Sequence, residues 1–451
     1  MKSSSGPQPI EDGSAREQRS RRIGFGVLSS LLIRPLGLVV PIVVVPLVIG
    51  YVGAARYGAV ETAWALGPWT SLGGLGTGLA LMNGLTDRYV DGDRVSARRL
   101  VASLLVAALL GTMVMFGLTL IAVFLTDPRK LFDLGSENIA VARGMVIAAV
   151  GGGLIAVVSG LSGSIYGAYQ EPHRNNLWDG AGKLATIGAV WLAVRLNLGL
   201  AGVAFAFIGA AGIVRAINLS ILLTIEKPWL LPRRGDIDSG AMRTLIVSGM
   251  GFVALQFASM AIVQSDRLVV AVLLGTKDMG PYAVISRVLT AAYGVVMLVL
   301  SPLWPAHGEA LRRGDVAWVR RTVKWSLALG LGLIGVVGVL LIVAQKPLLR
   351  VWLGSDQLSA SASIVTALTL AFASRVWIDS RSVVLNSVDV VRPQFLFLLA
   401  NATLFFALAW LAAPRLGIEG VAWALPISSV LTTGWGYPWL LRKILRGREH
   451  A

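Results

Sequence analysis

The sequence has no cysteine, only three histidines, and charged side chains at only 14% of its 451 positions. Without cysteine the chain cannot form a disulfide, a thiolate metal site or a cysteine nucleophile. His173, His307 and His450 are too scattered to suggest a zinc or di-metal cluster, and we expect no cofactor. A soluble domain carries about 25% charged residues. A chain this poor in charge and 55% apolar is therefore predicted to be a polytopic membrane protein.

Long apolar windows dominate the rest of the sequence. Each is long enough for a transmembrane helix, which needs about 20 residues. Twelve windows lie at about 23–50, 59–86, 100–125, 139–169, 177–196, 201–225, 243–274, 280–307, 325–345, 363–387, 395–413 and 419–441. The predicted fold is therefore all-α with twelve spans. Segment 1–22, rich in Ser, Gly, Pro and charge, is predicted to be a disordered cytoplasmic tail, and 442–451 a basic cytoplasmic tail.

The basic residues predict the orientation of these spans. An even number of spans places both termini on one side of the membrane. With the N-terminus in the cytoplasm, the cytoplasmic segments hold 24 Lys and Arg and the outer segments hold 7. This excess follows the positive-inside rule, so both termini are predicted to be cytoplasmic. Much of the net charge of +16 therefore reflects topology and attraction to anionic membrane lipids rather than nucleic-acid binding.

An internal repeat divides the chain into two halves. At an offset of 222, Gly53, Gly58 and Arg98-Arg99 match Gly275, Gly280 and Arg320-Arg321, and Gly92-Asp93 matches Gly314-Asp315. At an offset of 218, residues 198–206 match 416–424. We therefore predict two six-helix lobes, 23–226 and 243–441, joined by a cytoplasmic linker, 227–242. Because six is even, a pseudo-two-fold axis along the membrane normal relates the lobes, and a substrate site is expected between them near the midplane.

Charged residues inside the predicted spans are costly in lipid and should face a partner or a wet cavity. Arg143 and Arg195 lie near the outer ends and are predicted to extend to the interface. The other intramembrane cations are Arg34, Lys183, Arg215, Arg267, Arg287, Arg375 and Arg381, and the acids are Glu61, Asp179, Asp266 and Asp379. A cavity with surplus guanidinium suits an anion, because arginine offers paired donors to phosphate oxygens.

Helical spacing separates these cations into two groups. Lys183 stands four residues after Asp179, and Asp379 four after Arg375, so each could be a self-neutralising pair or a cavity group. Our main candidates for phosphate contacts have no acid three or four residues away; they are Arg34, Arg215 and Arg287. Arg267 points away from its neighbour Asp266, and Arg381 completes the cationic set.

The acids and polar stripes complete the predicted cavity. Glu61, Asp266 and Asp379 are predicted to pair with arginines or to couple transport to a proton or sodium ion. Polar stripes run along the seventh, eighth and tenth spans and contain Gln256, Ser259 and Asp266; Tyr282, Ser286, Thr290 and Tyr293; and Arg375, Asp379, Ser382 and Asn386. Stripes on several helices are typical of a lined cavity.

Several short motifs resemble a known family. These are Arg34-Pro35, Gly50–Gly53 followed by Arg56–Gly58, the Gly73–Gly78 run, and Ser265–Gly275. Together they resemble the polysaccharide transporter family of lipid-linked oligosaccharide flippases, within the superfamily that also holds multidrug and toxin extruders and lipid II flippases. The resemblance covers about 23–441. It implies a V-shaped pair of lobes around a cationic central cavity.

The resemblance also implies a function. A flippase of this family would move a polyprenyl-diphosphate-linked glycan from the cytoplasmic to the outer leaflet of the bacterial inner membrane, for exopolysaccharide, capsule or O-antigen synthesis. We expect a transporter rather than an enzyme, acting as a monomer beside polysaccharide assembly proteins. Two alternatives stay open. They are a cation-coupled multidrug extruder of the same superfamily and a membrane-embedded glycan polymerase or acyltransferase.

Overall fold

The computed structural model of the protein is predominantly helical in the part of the chain that it describes. The described residues are 29, 32–33, 35–74, 77–134, 139–233, 235–237, 265–275, 279–388, 390 and 392–449. No β-strand occurs among them, in agreement with the all-α prediction. Predicted features that fall outside the described residues are the tail 1–22, Arg34, Gln256, Ser259 and most of the seventh span.

The helices of the first half follow the predicted apolar windows. They are α1 (Leu36–Val52), α2 (Ala54–Leu66), α3 (Thr77–Asp91), α4 (Arg94–Leu125), α5 (Arg129–Phe132), α6 (Ile139–Ser159), α7 (Leu161–Ala168), α8 (Pro172–Arg195) and α9 (Gly199–Ile221). A 3₁₀ segment, Gly67–Gly74, follows α2 and interrupts the predicted second span. Pro68 has no N–H to donate to the preceding turn, and the glycines here are poor helix formers. The glycine run therefore marks a break within a span.

The helices of the second half are longer. They are α10 (Ser265–Leu274), α11 (Met279–Arg312), α12 (Val316–Leu353), α13 (Ala362–Asn386), α14 (Arg392–Leu431) and α15 (Thr433–Glu449). Gly417 has a φ of 57° and interrupts the helical conformation within α14. This break falls where the sequence predicts the connection between the eleventh and twelfth spans.

Seven of the described helical stretches are long and apolar enough to cross a membrane. They are Arg94–Leu125, Ile139–Ala168, Gly199–Glu226, Met279–Arg312, Val316–Leu353, Ala362–Asn386 and Arg392–Gly447. The last stretch contains 56 residues and spans two predicted windows, while α1 is a shorter apolar helix. The chain is therefore an all-helical membrane protein with several spans, and the count of twelve stays a prediction.

Matching glycines support the predicted internal repeat. Gly53 and Gly275 have φ values of 81° and 83°, and Gly92 and Gly314 have values of 69° and 78°. Residues that carry a side chain rarely adopt such a positive φ, so glycine is required in both copies of each turn. The residue that follows Gly92, and the one that follows Gly314, have the same role in the two halves. The side chains of Asp93 and Asp315 each cap a helix by accepting from a backbone N–H at 2.9 Å. The two halves therefore share turns as well as sequence.

The two halves also share one hydrophobic core. Buried residues of α1 and α2, such as Val45 and Val60, belong to the same cluster as Tyr282 and Leu289 of α11 and Val365 of α13. All five side chains are fully excluded from solvent. The halves therefore pack directly against each other through helices that begin or, in the case of α1, end on the outer side of the membrane in the predicted topology.

Trp352 of α12 compensates for a proline in the other half. Pro46 lies inside α1 and has no N–H, which leaves the carbonyl of Ile42 without its usual helical donor. The indole Nε1 of Trp352 donates to this carbonyl oxygen at 2.9 Å. The Ile42 carbonyl, which has no donor within α1, thus forms a hydrogen bond that joins the two halves.

Changing Trp352 to Phe should remove this hydrogen bond and keep most of the ring packing. We expect the variant to lose about 1 kcal/mol of stability, measured as a lower melting temperature in detergent. In a Pro46→Ala background, the new backbone N–H can donate to the Ile42 carbonyl within α1, so the same change should cost clearly less. Equal losses of stability in both backgrounds would show that Trp352 does not replace the N–H that Pro46 lacks.

The first part of the predicted linker is docked on the first half. Arg98 of α4 makes two hydrogen bonds to Asp236, from Nε to Oδ2 at 2.8 Å and from Nη2 to Oδ1 at 3.1 Å. The backbone N–H of Arg233 donates to the same carboxylate at 2.8 Å. The hydrogen bond from Arg98 holds the pKa of Asp236 below its usual value. The stabilisation by this carboxylate is therefore complete at neutral pH and is lost only as the pH falls through the lowered pKa.

Replacing Asp236 with Asn should release this segment. We expect trypsin to cleave after Arg233 faster in the variant, with the same difference at pH 7 and pH 8 because the carboxylate is ionised at both. Timed digestion followed by mass spectrometry gives the rate. Asp356→Asn removes an exposed ion pair with Arg350 elsewhere and serves as the control. An unchanged rate in the Asp236 variant would show that the contact does not hold the segment.

Candidate functional site

A cavity of about 590 Å³ lies among helices of the second half and against α1 of the first. Helices α10, α11, α13 and α14 form most of its wall, and Gly37, Leu38 and Pro41 contribute from α1. The charged residues in the wall are Asp266, Arg267, Arg287, Arg375 and Asp379. Hydroxyl and amide groups come from Ser286, Thr290, Tyr293, Asn401, Ser428 and Ser429. The cavity thus combines guanidinium groups with many neutral hydrogen-bonding groups.

Glu61 of α2 connects the first half to two of the cavity arginines. Its carboxylate accepts from Arg287 Nε at 2.5 Å through Oε1 and from Arg267 Nη1 at 3.5 Å through Oε2. The hydroxyl of Tyr57, one turn earlier in α2, donates to the same carboxylate. The Glu61 side chain has no solvent exposure. We call these four residues the Glu61 cluster.

Aromatic rings of the first half enclose Arg287. Its guanidinium carbon lies 5.0 Å from the centre of the Trp64 ring and 5.6 Å from that of Phe207. These two rings stack on each other with their centres 4.0 Å apart. Cation–π contacts add to the ion pair when the cation is desolvated. Arg287 is thus bound by the first half, although it belongs to the second.

A second charged pair lies within α13. Arg375 Nε is 3.9 Å from Asp379 Oδ2, so the two residues form an ion pair at their spacing of four and also line the cavity. The hydroxyl of Tyr293 donates to Asp379, and Arg375 lies over the Tyr293 ring at 4.5 Å. The Arg375 side chain is 39% exposed. Arg375 is therefore more accessible than Arg267 and Arg287, whose side chains are 16% and 10% exposed.

Asp266 and its neighbour Arg267 have different partners, as their directions on the helix predict. Tyr282 donates its hydroxyl to Asp266 at 2.7 Å. Arg267 contacts Glu61 and also donates from Nη2 to Ser286 at 3.4 Å. Both residues line the cavity. The acid and the base thus act in separate hydrogen-bond networks.

Lys183 and Arg215 lie in the first half, outside the wall of this cavity. Lys183 Nζ is 3.7 Å from Asp179 Oδ2, which makes an ion pair at their spacing of four residues, and it donates to the carbonyl of Ile33 at 3.3 Å. Arg215 also pairs with Asp179, across from α9 to α8. Helical spacing gave Arg215 no partner, because this partner is on another helix. Two cations thus share one carboxylate.

Arg381 is also away from the cavity wall. It is largely buried, its guanidinium carbon lies 3.6 Å from the Trp377 ring centre, and its Nη1 donates to the Trp377 carbonyl at 2.5 Å. The structure therefore gives it local partners one turn earlier in α13. Its role toward a substrate, like that of Arg34 outside the described residues, stays a prediction.

The described cavity has a smaller cationic surplus than the intramembrane residues as a whole. Three arginines and two aspartates line it, and Glu61 behind the wall bonds two of the three arginines. Arg375 is the cavity arginine that Glu61 does not neutralise. Among the described residues, no group of three His, Asp or Glu side chains is arranged to hold a metal ion.

Sequence reasoning missed several members of the site. Tyr57, Trp64 and Phe207 were not candidates, although each contacts Glu61 or Arg287. The spacing of four residues between Tyr57 and Glu61 was a usable signal. The contact from Phe207 depends on the packing of α9 beside α2, which no local pattern shows.

Comparison with known proteins agrees with this architecture. A family model described as polysaccharide biosynthesis protein matches residues 23–310. A Salmonella typhi protein, described as a candidate O-antigen transporter, is 21% identical over 48% of this chain and 50% of its own length. The chain thus spans about half the length of the curated relatives that it matches.

Solved structures show the same fold at low sequence identity. An inward-facing multidrug resistance MATE family transporter of the MOP superfamily aligns with a TM-score of 0.73 and 12% identity, over 94% of this chain and 99% of that one. The lipid II flippase MurJ, in an inward closed conformation, aligns with a TM-score of 0.69 and 17% identity, over 94% and 87%. The family model covers more than half of the sequence. The chain therefore belongs to the polysaccharide biosynthesis protein family, and its fold is that of the MOP superfamily transporters.

Proposed function

We propose that this protein is a flippase for polyprenyl-diphosphate-linked oligosaccharide in a bacterial inner membrane. It has twelve spans in two six-helix lobes, 23–226 and 243–441, with both termini in the cytoplasm. The family match and the candidate O-antigen transporters among its relatives support a role in export of a glycan precursor. The product would supply O-antigen, capsule or exopolysaccharide synthesis.

The chemistry of the cavity is the observation that carries this proposal. A lipid-linked glycan presents phosphate oxygens next to sugar hydroxyls. The cavity places Arg375 close to neutral hydrogen-bonding groups such as Tyr293, Asn401 and Ser428. Guanidinium groups bind phosphate oxygens through paired donors, and hydroxyl and amide groups bind sugars. The cavity therefore suits both parts of such a head group, while the polyprenyl tail stays in the lipid.

Contacts between the halves suggest how access changes. In the predicted topology, Glu61 and Arg287 lie in the outer half of the membrane, as does the contact from Trp352 to Ile42. These bonds hold the halves together on the outer side. The head group would enter from the cytoplasm, and separation of the halves at these contacts would release it outward. The protein would do this as a monomer next to polysaccharide assembly proteins.

Deletion of the gene tests the proposal. We expect lipid-linked repeat units to accumulate on the cytoplasmic face and surface polysaccharide to be lost, because the head group cannot cross unaided. Protease-free spheroplasts labelled with a membrane-impermeant lectin report which leaflet carries the glycan. Normal surface polysaccharide in the deletion strain would contradict the proposal.

A multidrug extruder is the second candidate, and the small cationic surplus of the described cavity favours keeping it. Glu61, Asp266 and Asp379 would then serve proton or sodium coupling. This function predicts that deletion of the gene makes cells more sensitive to cationic dyes and leaves surface polysaccharide unchanged.

A glycan polymerase or acyltransferase is the alternative from another class. It predicts that purified protein forms a covalent product from lipid-linked substrate. Each outcome is distinct from that expected for a flippase.

A further inference from the structure

A second cavity, of about 290 Å³, lies at the cytoplasmic end of the first half in the predicted topology. Three connections that are distant in sequence form it. They are the turn between α3 and α4, the turn between α7 and α8, and the segment after α9. Its charged and aromatic lining residues are Arg88, Tyr89, Asp93, Arg94, Tyr169, Glu171 and Trp229. It shares no described lining residue with the large cavity.

The side chains that line this second cavity carry two positive and two negative charges, and Lys227 adds a third cation behind the wall. Arg88 and Arg94 are matched by Asp93 and Glu171. Asp93 is engaged as the cap of α4, and Glu171 Oε1 accepts from Lys227 Nζ at 3.2 Å. A phosphate group would therefore meet carboxylates as well as cations. A wall that contains both signs of charge favours a polar ligand without a net charge.

Aromatic rings make up a large part of the wall. Tyr89 and Tyr169 meet edge to face with their centres 5.1 Å apart, and Arg94 lies over Trp229 at 5.1 Å. Tyr89 is 44% exposed, so part of its ring is free for a ligand. Ligand sites typically combine such apolar surface with a few polar groups that give specificity.

Two buried polar atoms in lining residues make no hydrogen bond within the described structure. They are Arg88 Nε, a donor, and Glu171 Oε2, an acceptor. Arg174 Nε lies 4.0 Å from that carboxylate oxygen, which is too far for a hydrogen bond. Buried polar atoms are normally paired, so each requires an explanation. A hydroxyl group both donates and accepts, so sugar hydroxyls would suit such a donor and such an acceptor once the two side chains turn toward the cavity.

We infer that this cavity is a carbohydrate site that holds one sugar ring at the cytoplasmic face. The ring would lie against Tyr89, with its hydroxyl groups directed to Glu171 and Arg88. This inference rests on the proposed function only in that the lipid-linked glycan would supply the ring. The volume suits a single ring rather than an oligosaccharide. The site would select the precursor before its diphosphate reaches the large cavity.

Saturation-transfer NMR on the purified full-length chain in zwitterionic nanodiscs tests the inference. The probes are methyl glycosides of glucose, galactose, rhamnose and N-acetylglucosamine at millimolar concentration. We expect saturation of at least one glycoside by the wild-type protein. Tyr89→Ser and Glu171→Gln should each lower that signal at least fivefold. Trp325→Ser, which changes an exposed aromatic residue in the second half, is the control and should leave it unchanged.

Three results would overturn the inference. They are no signal with any glycoside, an equal signal in the Tyr89 variant, and loss of the signal on adding inorganic phosphate or anionic lipid. Tyr89 is partly exposed, so its replacement should leave the protein folded, and a size-exclusion profile verifies this. The Arg375→Gln variant separates the two proposals, because it should retain sugar binding at this cavity and need more substrate for transport. Sugar binding with normal polysaccharide in the deletion strain would refute the proposed function alone.

Discussion

Replacing Arg287 with Ala is expected to destabilise the protein and stop transport together. The change leaves Glu61 fully buried with only the longer contact to Arg267 as an ion pair. Removing one partner of a buried ion pair costs about 3–5 kcal/mol, because the remaining charge is not solvated. The melting temperature in detergent should fall by several degrees, and the leaflet assay should show glycan held on the cytoplasmic face.

A double-mutant cycle separates the pair from general damage. Glu61→Gln with Arg287→Gln removes both charges, so the double variant should be more stable than the sum of the single losses predicts. The matched control is Arg313→Gln, which breaks an exposed pair with Glu309 at the end of the same helix. Exposed pairs contribute about 0–1 kcal/mol, so this variant should resemble wild type. Strict additivity of the Glu61 and Arg287 losses would show that the contact is not important for stability.

Replacing Arg375 with Gln should instead raise the substrate concentration that transport requires and leave stability almost unchanged. Arg375 is partly exposed to the cavity, and its contact with Asp379 is long at 3.9 Å. Loss of a charge-assisted hydrogen bond to a phosphate costs about 1.5–3 kcal/mol, which corresponds to about a 10- to 150-fold loss of substrate affinity. Flipping rates of lipid-linked glycan in proteoliposomes would measure this loss as a higher substrate concentration at half-maximal rate.

Two further variants make this result specific. Arg375→Lys keeps the charge and loses the planar fork, so it should restore only part of the activity. Arg350→Gln changes an outer, 66% exposed arginine that pairs with Asp356, and it should transport normally. Full activity in Arg375→Gln would show that the Arg375 guanidinium does not bind the substrate. Loss of activity with an equal loss of stability would assign Arg375 a structural role.

The sequence was sufficient to predict side-chain contacts within one helix. A spacing of four residues places two side chains on one face, and both predicted pairs, Asp179 with Lys183 and Arg375 with Asp379, are present. The same rule applied to aromatic residues would also have linked Arg381 to Trp377. Such contacts follow from helix geometry alone.

Contacts between helices were not predictable from spacing. Arg215 and Arg287 were candidates because no acid lies one turn away, yet each bonds an acid on another helix, Asp179 and Glu61 respectively. Which faces of two distant helices meet depends on the packing of the whole bundle. A single sequence contains no direct signal for this packing. The expected surplus of free cations was therefore larger than the surplus that the described cavity shows.

Apolar length likewise predicted where most helices lie but not where they bend. The 3₁₀ segment Gly67–Gly74 falls inside the second predicted window. Hydropathy averages over about 19 residues and does not register such a local change of backbone hydrogen bonding. Pro68 and the adjacent glycines were visible in the sequence. Their effect depends on neighbouring helices, which here pack closely enough for Thr70 to fill the space beside Gly153.

The Glu61 cluster shows that the two copies of the repeat are no longer interchangeable. The offset of 222 aligns Glu61 with Ala283 and Arg287 with Ala65, so each member of the pair corresponds to a small apolar residue in the other copy. A chain made of two first halves would place two glutamates at the contact with no arginine to receive them. One made of two second halves would place two arginines there. The ion pair therefore makes the interface between two similar halves asymmetric, with the acid in the first half and the base in the second.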